Sequence, residues 1–314
     1  MRGRSSKDVG FRFGTGAFGL LLIAIVCAIG AVLVRQSMPS IHRFGADFWR
    51  TATWDPVSGQ FGAFPFIWGT LYSSILALFL ATPIALGIAI FSAELCPVPL
   101  RYPLVFITEL LAAIPSIVYG LWGIVVLVPA VRWIENVMPE ALRGSPLFSG
   151  PPIGLGMLAA ALVLAVMVLP FIASVSREVL KTVPAGQRDG AYALGATHYE
   201  AARALLYYAR SGVIGAVMLG FGRALGETMA VTMVIGNSAR ISWSLFAPQY
   251  TMAAVIANEF AEAADDLYFS ALFEIGLVLF VITLIVNGLS RLLIWSMNRV
   301  PRVVMTAEPV KARV

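Results

Sequence analysis

RALGETMAVTMVIGN, residues 223–237, places an arginine and a glutamate inside a stretch that is otherwise almost wholly apolar. The runs at 212–219 and 229–235 have the composition of a lipid-facing helix. A charge at the centre of a membrane helix costs about 2.5–3.5 kcal/mol on insertion, so neither residue is expected to be idle. On a helix turning about 100° per residue, Ala216, Gly220, Arg223 and Glu227 share one stripe. Small residues on such a stripe let a neighbouring helix come close. The stripe is therefore expected to face protein or a polar path, and the i, i+4 spacing lets Arg223 and Glu227 pair.

The rest of the chain fits a membrane setting. Of 314 residues, 59% are hydrophobic and 12% charged, against about 25% charged in soluble domains. Apolar runs of roughly 18 or more residues recur, each long enough to cross about 30 Å of hydrocarbon. Six spans are expected, at 13–34, 67–91, 103–131, 153–175, 212–235 and 271–296. Backbone donors in lipid need internal partners, so the spans are helices, and their length argues against the short alternating strands of a β-barrel. The organisation is a first segment and span at 1–34, a core at 67–296 with an inner loop at 176–211, and a tail at 297–314. The first span is too long for a signal peptide and lacks a small-residue cleavage site, so it is read as retained.

With both termini in the cytoplasm, fifteen of the 22 lysines and arginines fall inside. They are Arg2, Arg4, Lys7, Arg12 and Arg101, then Arg177, Lys181, Arg188, Arg203 and Arg210, then Arg291, Arg299, Arg302, Lys311 and Arg313. Six lie outside, in line with the positive-inside rule. The net charge of +5 is thus a topology signal, since no basic helix or aromatic reading surface for nucleic acid accompanies it. Cys27 and Cys96 have neither a shared compartment for a disulfide nor metal-ligand spacing. There is no phosphate-binding G-x-x-x-x-G-K-[ST], no H-E-x-x-H and no G-x-S-x-G. His42 and His198 both fall in loops, which leaves an intramembrane hydrolase without a base. Any energy for work comes from a partner.

Trp49, Trp54, Trp68 and Trp133 are expected to anchor the outer loops at the membrane interface. The segment 251–264 has few breakers and reads as a surface or re-entrant helix. Pro115 and Gly120 are expected to kink the third span. Glu109 is expected to pair with Arg101 or a loop cation, Glu274 to be interfacial, and Asn237 and Asn287 to hydrogen-bond between helices. The inner loop VPAGQRDGAYALGATHYEAARALLYYARSG, residues 183–212, is the most punctuated piece. Pro184 suits a first helical turn, Gly195 suits a left-handed helix stop, and Thr197 with Glu200 spells a capping box. The sequence writes helix, glycine turn, helix. From punctuation alone an amphipathic connector on the membrane surface is equally open.

At this loop the chain resembles the membrane subunits of bacterial ABC importers, whose cytoplasmic signature is E-A-A, three residues, Gly, nine residues, then I-x-L-P. Asp189, Gly190 and Ala191 stand for E-A-A, Gly195 for the glycine, and Leu205 or Leu206 for the hydrophobic pair. Asp replaces Glu, Gly190 replaces the first Ala, Tyr207 or Tyr208 stands where the family has Pro, and 199–212 is one residue short of the usual form. Two further stretches, ELLAAIPSIVYGLWG (109–123) and GFGRALGETMAVTMVIGN (220–237), resemble the PstC-type family of phosphate-specific permeases. The resemblance runs from about residue 67 to the end of the sixth span.

What it implies is an all-α integral membrane protein with six transmembrane helices and the type I ABC importer permease fold, in the bacterial inner membrane. It further implies a PstA-type permease partner, a dimer of PstB-type ATPases on the inner loop, and a PstS-type phosphate-binding protein outside. ATP and Mg would sit on the ATPase. This chain would carry no catalytic residue, metal or cofactor, and would move phosphate by alternating access. Alternatives are a permease for another oxyanion, such as sulfate or molybdate, and a membrane scaffold that signals phosphate status. The charged pair then has two readings. Arg223 and Glu227 either tie helices together, or Arg223 offers phosphate a transient cation while Glu227 limits how tightly it is held.

Overall fold

The computed structural model describes residues 6–297, and every regular element among them is helical. The expected tail beyond Met297, with Arg299, Arg302, Lys311 and Arg313, lies outside the described residues, as do Arg2 and Arg4. α1 (Ser6–Phe44) overruns the expected 13–34 at both ends. α2 (Phe64–Ile90) carries Pro65 in its first turn, where a missing N–H costs nothing. α3 (Val98–Ala113) and α4 (Ser116–Trp122) are separate helices, because Ile114 and Pro115 are extended. Proline lacks the N–H that would continue a helix and biases the residue before it away from helical angles. The expected span at 103–131 is therefore broken and not merely kinked. A π-turn at Gly123–Leu127 joins α4 to α5 (Val128–Val137), and Ser116–Val137 together are long enough to cross.

After the short α6 (Glu140–Arg143) comes α7 (Met157–Lys181), the most buried of the crossing helices. α8 (Ala185–Ala193) and α9 (His198–Tyr208) form a hairpin at one end of the bundle. α10 (Arg210–Leu225), α11 (Met229–Thr232), α12 (Met252–Glu259) and α13 (Asp266–Met297) complete the chain.

The expected continuous span at 212–235 is corrected. α10 stops at Leu225, and its 16 residues cover about 24 Å, less than the hydrocarbon thickness. It reaches crossing length only together with α9, from which it is bent by 73°. Among the described residues five helices are thus long enough to cross alone, and there are six only if the bent pair is counted as one span. Beyond the break Met229 is exposed, but Ala230, Val231, Val234 and Ile235 are all at most 1% exposed and do not face lipid. Gly236 (φ 89°) and Asn237 (φ 48°) reverse the chain there, and 238–251 re-enters the bundle without forming a helix.

Two helices make the frame. Ala77, Ala81, Ala85 and Ala89 recur every fourth residue along α2, and all are fully buried. With only methyl groups between them, α2 lies close along α7, in one core with Met157, Ala160, Leu164 and Val168. At the end far from the hairpin, both helices hold the re-entrant segment. The amides of Gly156, Met157 and Leu158 donate to the carbonyls of Val234, Ala247 and Leu245 at 3.0, 3.3 and 2.7 Å. The first N–H groups of a helix lack intrahelical acceptors, and here the loop supplies them. On α2 the Thr70 hydroxyl accepts from the Met252 amide at 2.9 Å. Its neighbour Gly69 admits the Tyr250 carbonyl, which would lie only 2.1 Å from an added Cβ.

Several smaller expectations change with this packing. Trp68 donates to Ser242 O at 3.0 Å and Trp54 to Glu259 at 2.7 Å, so both brace the far end, while Trp49 and Trp133 are exposed as interface anchors would be. Glu274 is buried beside α1 and is not interfacial. Asn237 donates to Thr232 O within its own loop, and Asn287 is exposed. The helix expected in 251–264 is α12, capped by the Thr251 hydroxyl.

Two glycines of α2 give a matched test. Gly87 has nothing within 4 Å of an added Cβ. In purified protein Gly69→Ala is expected to cost about 1–3 kcal/mol through overpacking, whereas Gly87→Ala is expected to be neutral or stabilising by up to about 1 kcal/mol. Thermal unfolding in detergent measures both, and equal effects would contradict the clamp on the re-entrant segment.

Candidate functional site

The two signature stretches fold against each other. An added Cβ on Gly120 would lie 2.5 Å from Met233 Sδ and 3.2 Å from Ala230 Cα. On Gly123 it would lie 2.9 Å from Val163 and 3.0 Å from Val234. The two glycines of 109–123 thus make room for Ala230, Met233 and Val234 of the second stretch. Across the α3–α4 break the Tyr119 hydroxyl donates to Leu111 O at 2.7 Å.

α10 approaches α7 through Ala216 and Gly220, the latter against Ile172, as the stripe of small residues leads one to expect. Arg223 follows on the same side, its guanidinium carbon 6.0 Å from the centroid of Phe171 and within electrostatic reach of Tyr119. The arginine itself is exposed on the surface of this chain. Glu227 is half-buried and its Oε1 accepts from the Ala230 amide at 3.2 Å.

The expected Arg223–Glu227 pairing does not occur among the described ion pairs. The helix ends between the two residues at Gly226, so the i, i+4 stripe is cut and Glu227 caps the next turn. Among the described residues the guanidinium has an aromatic ring beside it and no ion-pair partner, in the last turn of α10. A guanidinium fork in that position suits an oxyanion.

Of the two kinds of partner expected for Glu109, the structure gives a cation from the segment read as the inner loop, and not Arg101. α7 continues past the expected end at 175, which brings Arg177 within 3.9 Å of Glu109, while Arg177 also pairs with Glu178.

The hairpin has the expected grammar. α8 closes with Gly195 N–H on Tyr192 O and Ala196 N–H on Ala191 O, at 2.9 and 3.1 Å, around Gly195 at φ 81°. α9 opens with a full capping box: Thr197 Oγ1 accepts from Glu200 N, and the Glu200 carboxylate accepts from Thr197 N at 2.8 Å. Asp189, Gly190 and Gly195 are exposed and Ala191 is half-buried. Leu205 is buried with Ala89, Leu180, Val183, Ala209 and Val213, and Leu206 packs against that cluster. The hairpin is seated on the bundle and is not a loose connector on a membrane surface. Tyr207 and Tyr208 point outward, with Arg210 4.4 Å over the Tyr207 ring, and the chain turns at Ala209 without the proline of the signature. A contact that no motif announces is Arg188 Nη2 to Glu94 Oε1, at 2.5 Å.

Residues 85–299 match the model of the family described as binding-protein-dependent transport system inner membrane component. The chain belongs to that family: it is a membrane component of an ABC transporter, with an all-helical fold of the type I importer permeases. Within the family it is similar to proteins named phosphate transport system permease protein PstC. That of Haemophilus influenzae is 49% identical over 295 residues, covering 92% of this chain and 93% of the relative. That of Mesorhizobium japonicum is 45% identical over 297 residues, covering 93% and 91%. A probable PstC of Methanocaldococcus jannaschii is 41% identical over 259 residues, covering 80% and 82%. A solved structure of the MetNI methionine ABC transporter, inward facing, shares the fold with a TM-score of 0.57 at 18% identity, over 74% of this chain and 94% of that one.

Gly195 has open space around it, so only its left-handed backbone resists substitution. Gly195→Val is expected to cost the hairpin about 1–3 kcal/mol, while Gly195→Asn, which tolerates that conformation, should cost little. Limited proteolysis within 183–212 reads this out: faster cleavage for the valine variant and an unchanged rate for asparagine are expected, and equal rates for all three would contradict the assignment.

Proposed function

We propose that this chain is the phosphate-translocating permease subunit of an ATP-driven importer. The observation that carries the reading is the exposed Arg223, without an ion-pair partner among the described residues, at the end of the apolar helix α10 in a chain whose relatives are named phosphate permeases. Fifteen cytoplasmic cations support both termini lying inside, which makes the hairpin end cytoplasmic and the far end external. The same reading supplies the partners. A second permease of PstA type covers the face that carries Arg223, a PstB-type ATPase dimer binds ATP and Mg and docks on α8 and α9, and a PstS-type protein delivers phosphate at the far end.

In this reading Asp189, Gly190, Ala191 and Gly195 face the ATPase, and Leu205 and Leu206 root the hairpin in the bundle. ATP binding and loaded binding protein each favour one of two states of the bundle through differential contacts, which is what alternating access requires. Arg223 meets phosphate as it crosses. Glu227 caps a turn and leaves the guanidinium free, so the anion is attracted without a buried ion pair having to be broken first. Release is aided because one exposed cation on a ring is a weak site, as a conduction path demands.

The test is uptake by vesicles holding the assembled transporter. Arg223→Gln is expected to lower phosphate uptake about tenfold to a hundredfold, the loss expected for one charge-assisted contact, with assembly and basal ATP hydrolysis unchanged. Arg223→Gln/Glu227→Gln is expected to be equally silent. If that double variant transports normally, Arg223 serves packing and the pathway reading fails.

A further inference from the structure

α8 contains no buried residue, so packing alone does not fix its direction. Peptide links attach it at both ends, through Thr182–Pro184 to α7 and through Gly195–Thr197 to α9. These links, with the Tyr192 ring 5.7 Å from that of His198, tie α8 to α9 and leave its hold on α2 to a side chain. That attachment is Arg188, whose Nη2 donates to Glu94 Oε1 at 2.5 Å. The Glu94 side chain is only 7% exposed. It stands in the π-turn Phe91–Leu95, which prolongs α2 without a break. A buried carboxylate deprived of its cation is strongly unfavourable, so Glu94 holds Arg188 in place.

What Glu94 belongs to gives the contact its meaning. Ala89, just before the π-turn, is buried with Leu180 of α7 and with Leu205 and Val213 of α9 and α10. Farther along, the alanine stripe locks α2 to α7. The opposite ends of both helices clamp the segment that follows Arg223 and Glu227, through Thr70, Gly156, Met157 and Leu158. A displacement of α8 is therefore delivered to a two-helix body whose other end holds the wall of the proposed pathway.

We propose that the Arg188–Glu94 ion pair is a strut that makes the hairpin and the α2–α7 body move as one, so that these two positioning residues couple ATP-driven motion to anion transfer. The proposal rests on the functional reading above. Neither residue belongs to the E-A-A positions, and neither touches the anion.

The experiment uses the whole transporter in vesicles, with binding protein and inorganic phosphate, and reads phosphate moved per ATP hydrolysed. Glu94→Gln and Arg188→Gln are each expected to keep the ATPase through purification and to keep basal ATP hydrolysis, yet to lower that ratio about fivefold, within the range over which residues along a connected path alter coupling. The exchange Glu94→Arg/Arg188→Glu is expected to recover at least half of the ratio, which a general packing defect would not do. A wild-type ratio in either single variant, loss of the ATPase from either one, or an exchange variant as uncoupled as the singles would each overturn the strut. A wild-type complex that moves no phosphate at all would refute the functional reading instead, so the two failures are distinguishable.

Discussion

Non-helical backbone inside an apolar bundle must find its hydrogen-bond partners within the protein, and the segment 233–252 finds them on the ends of α7 and α2. The trade is reciprocal. The first turn of α7 has amides with no intrahelical acceptor, and the segment has carbonyls with no helix of its own. Once those groups satisfy one another, α10 has no need to continue to the membrane surface. It can stop at Leu225, and Arg223 comes to rest near a broken helix end and not mid-way along a continuous one.

That placement changes what the two charges are. On an unbroken helix Arg223 and Glu227 would neutralise each other and the site would be inert toward anions. Gly226 separates them, Glu227 turns to the Ala230 amide, and the guanidinium is left against Phe171. Close approach does the remaining work. Gly120 admits Met233 and Ala230, Gly123 admits Val163 and Val234, and Gly220 admits Ile172, so the re-entrant turn and α10 sit close against α4 and α7.

The sequence was readable where the signal is local. Gly195, Thr197 and Glu200 announce a helix stop and a capping box through residue chemistry within a few positions, and the hairpin matches them bond for bond. Apolar runs likewise locate the long helices, because length against hydrocarbon thickness is a property of the run itself. Residues 229–235 misled for the same reason: an apolar run looks alike whether it meets lipid or the inside of a bundle, and only the tertiary seat formed by 120 and 123 distinguishes them. Arg188 with Glu94 was invisible because it joins elements distant in the chain, and for Glu109 the kind of partner was legible but not which loop cation, Arg177, it would be. The break at Ile114–Pro115 was visible in kind, through the proline, but not in degree.

The central claim is that the face carrying Arg223 meets water in the assembled transporter and not lipid. A single cysteine reports this most directly, in a background where Cys27 and Cys96 are replaced by alanine. Leu20, exposed on α1, whose crossing window buries nothing against this chain, is the lipid-side control. With Arg223→Cys in the assembled complex, a small charged thiol reagent is expected to label readily, while Leu20→Cys should react only with a lipid-soluble maleimide. Were Arg223→Cys inert to the charged reagent and open to the maleimide, the arginine would face the bilayer and could not meet phosphate along a wet path.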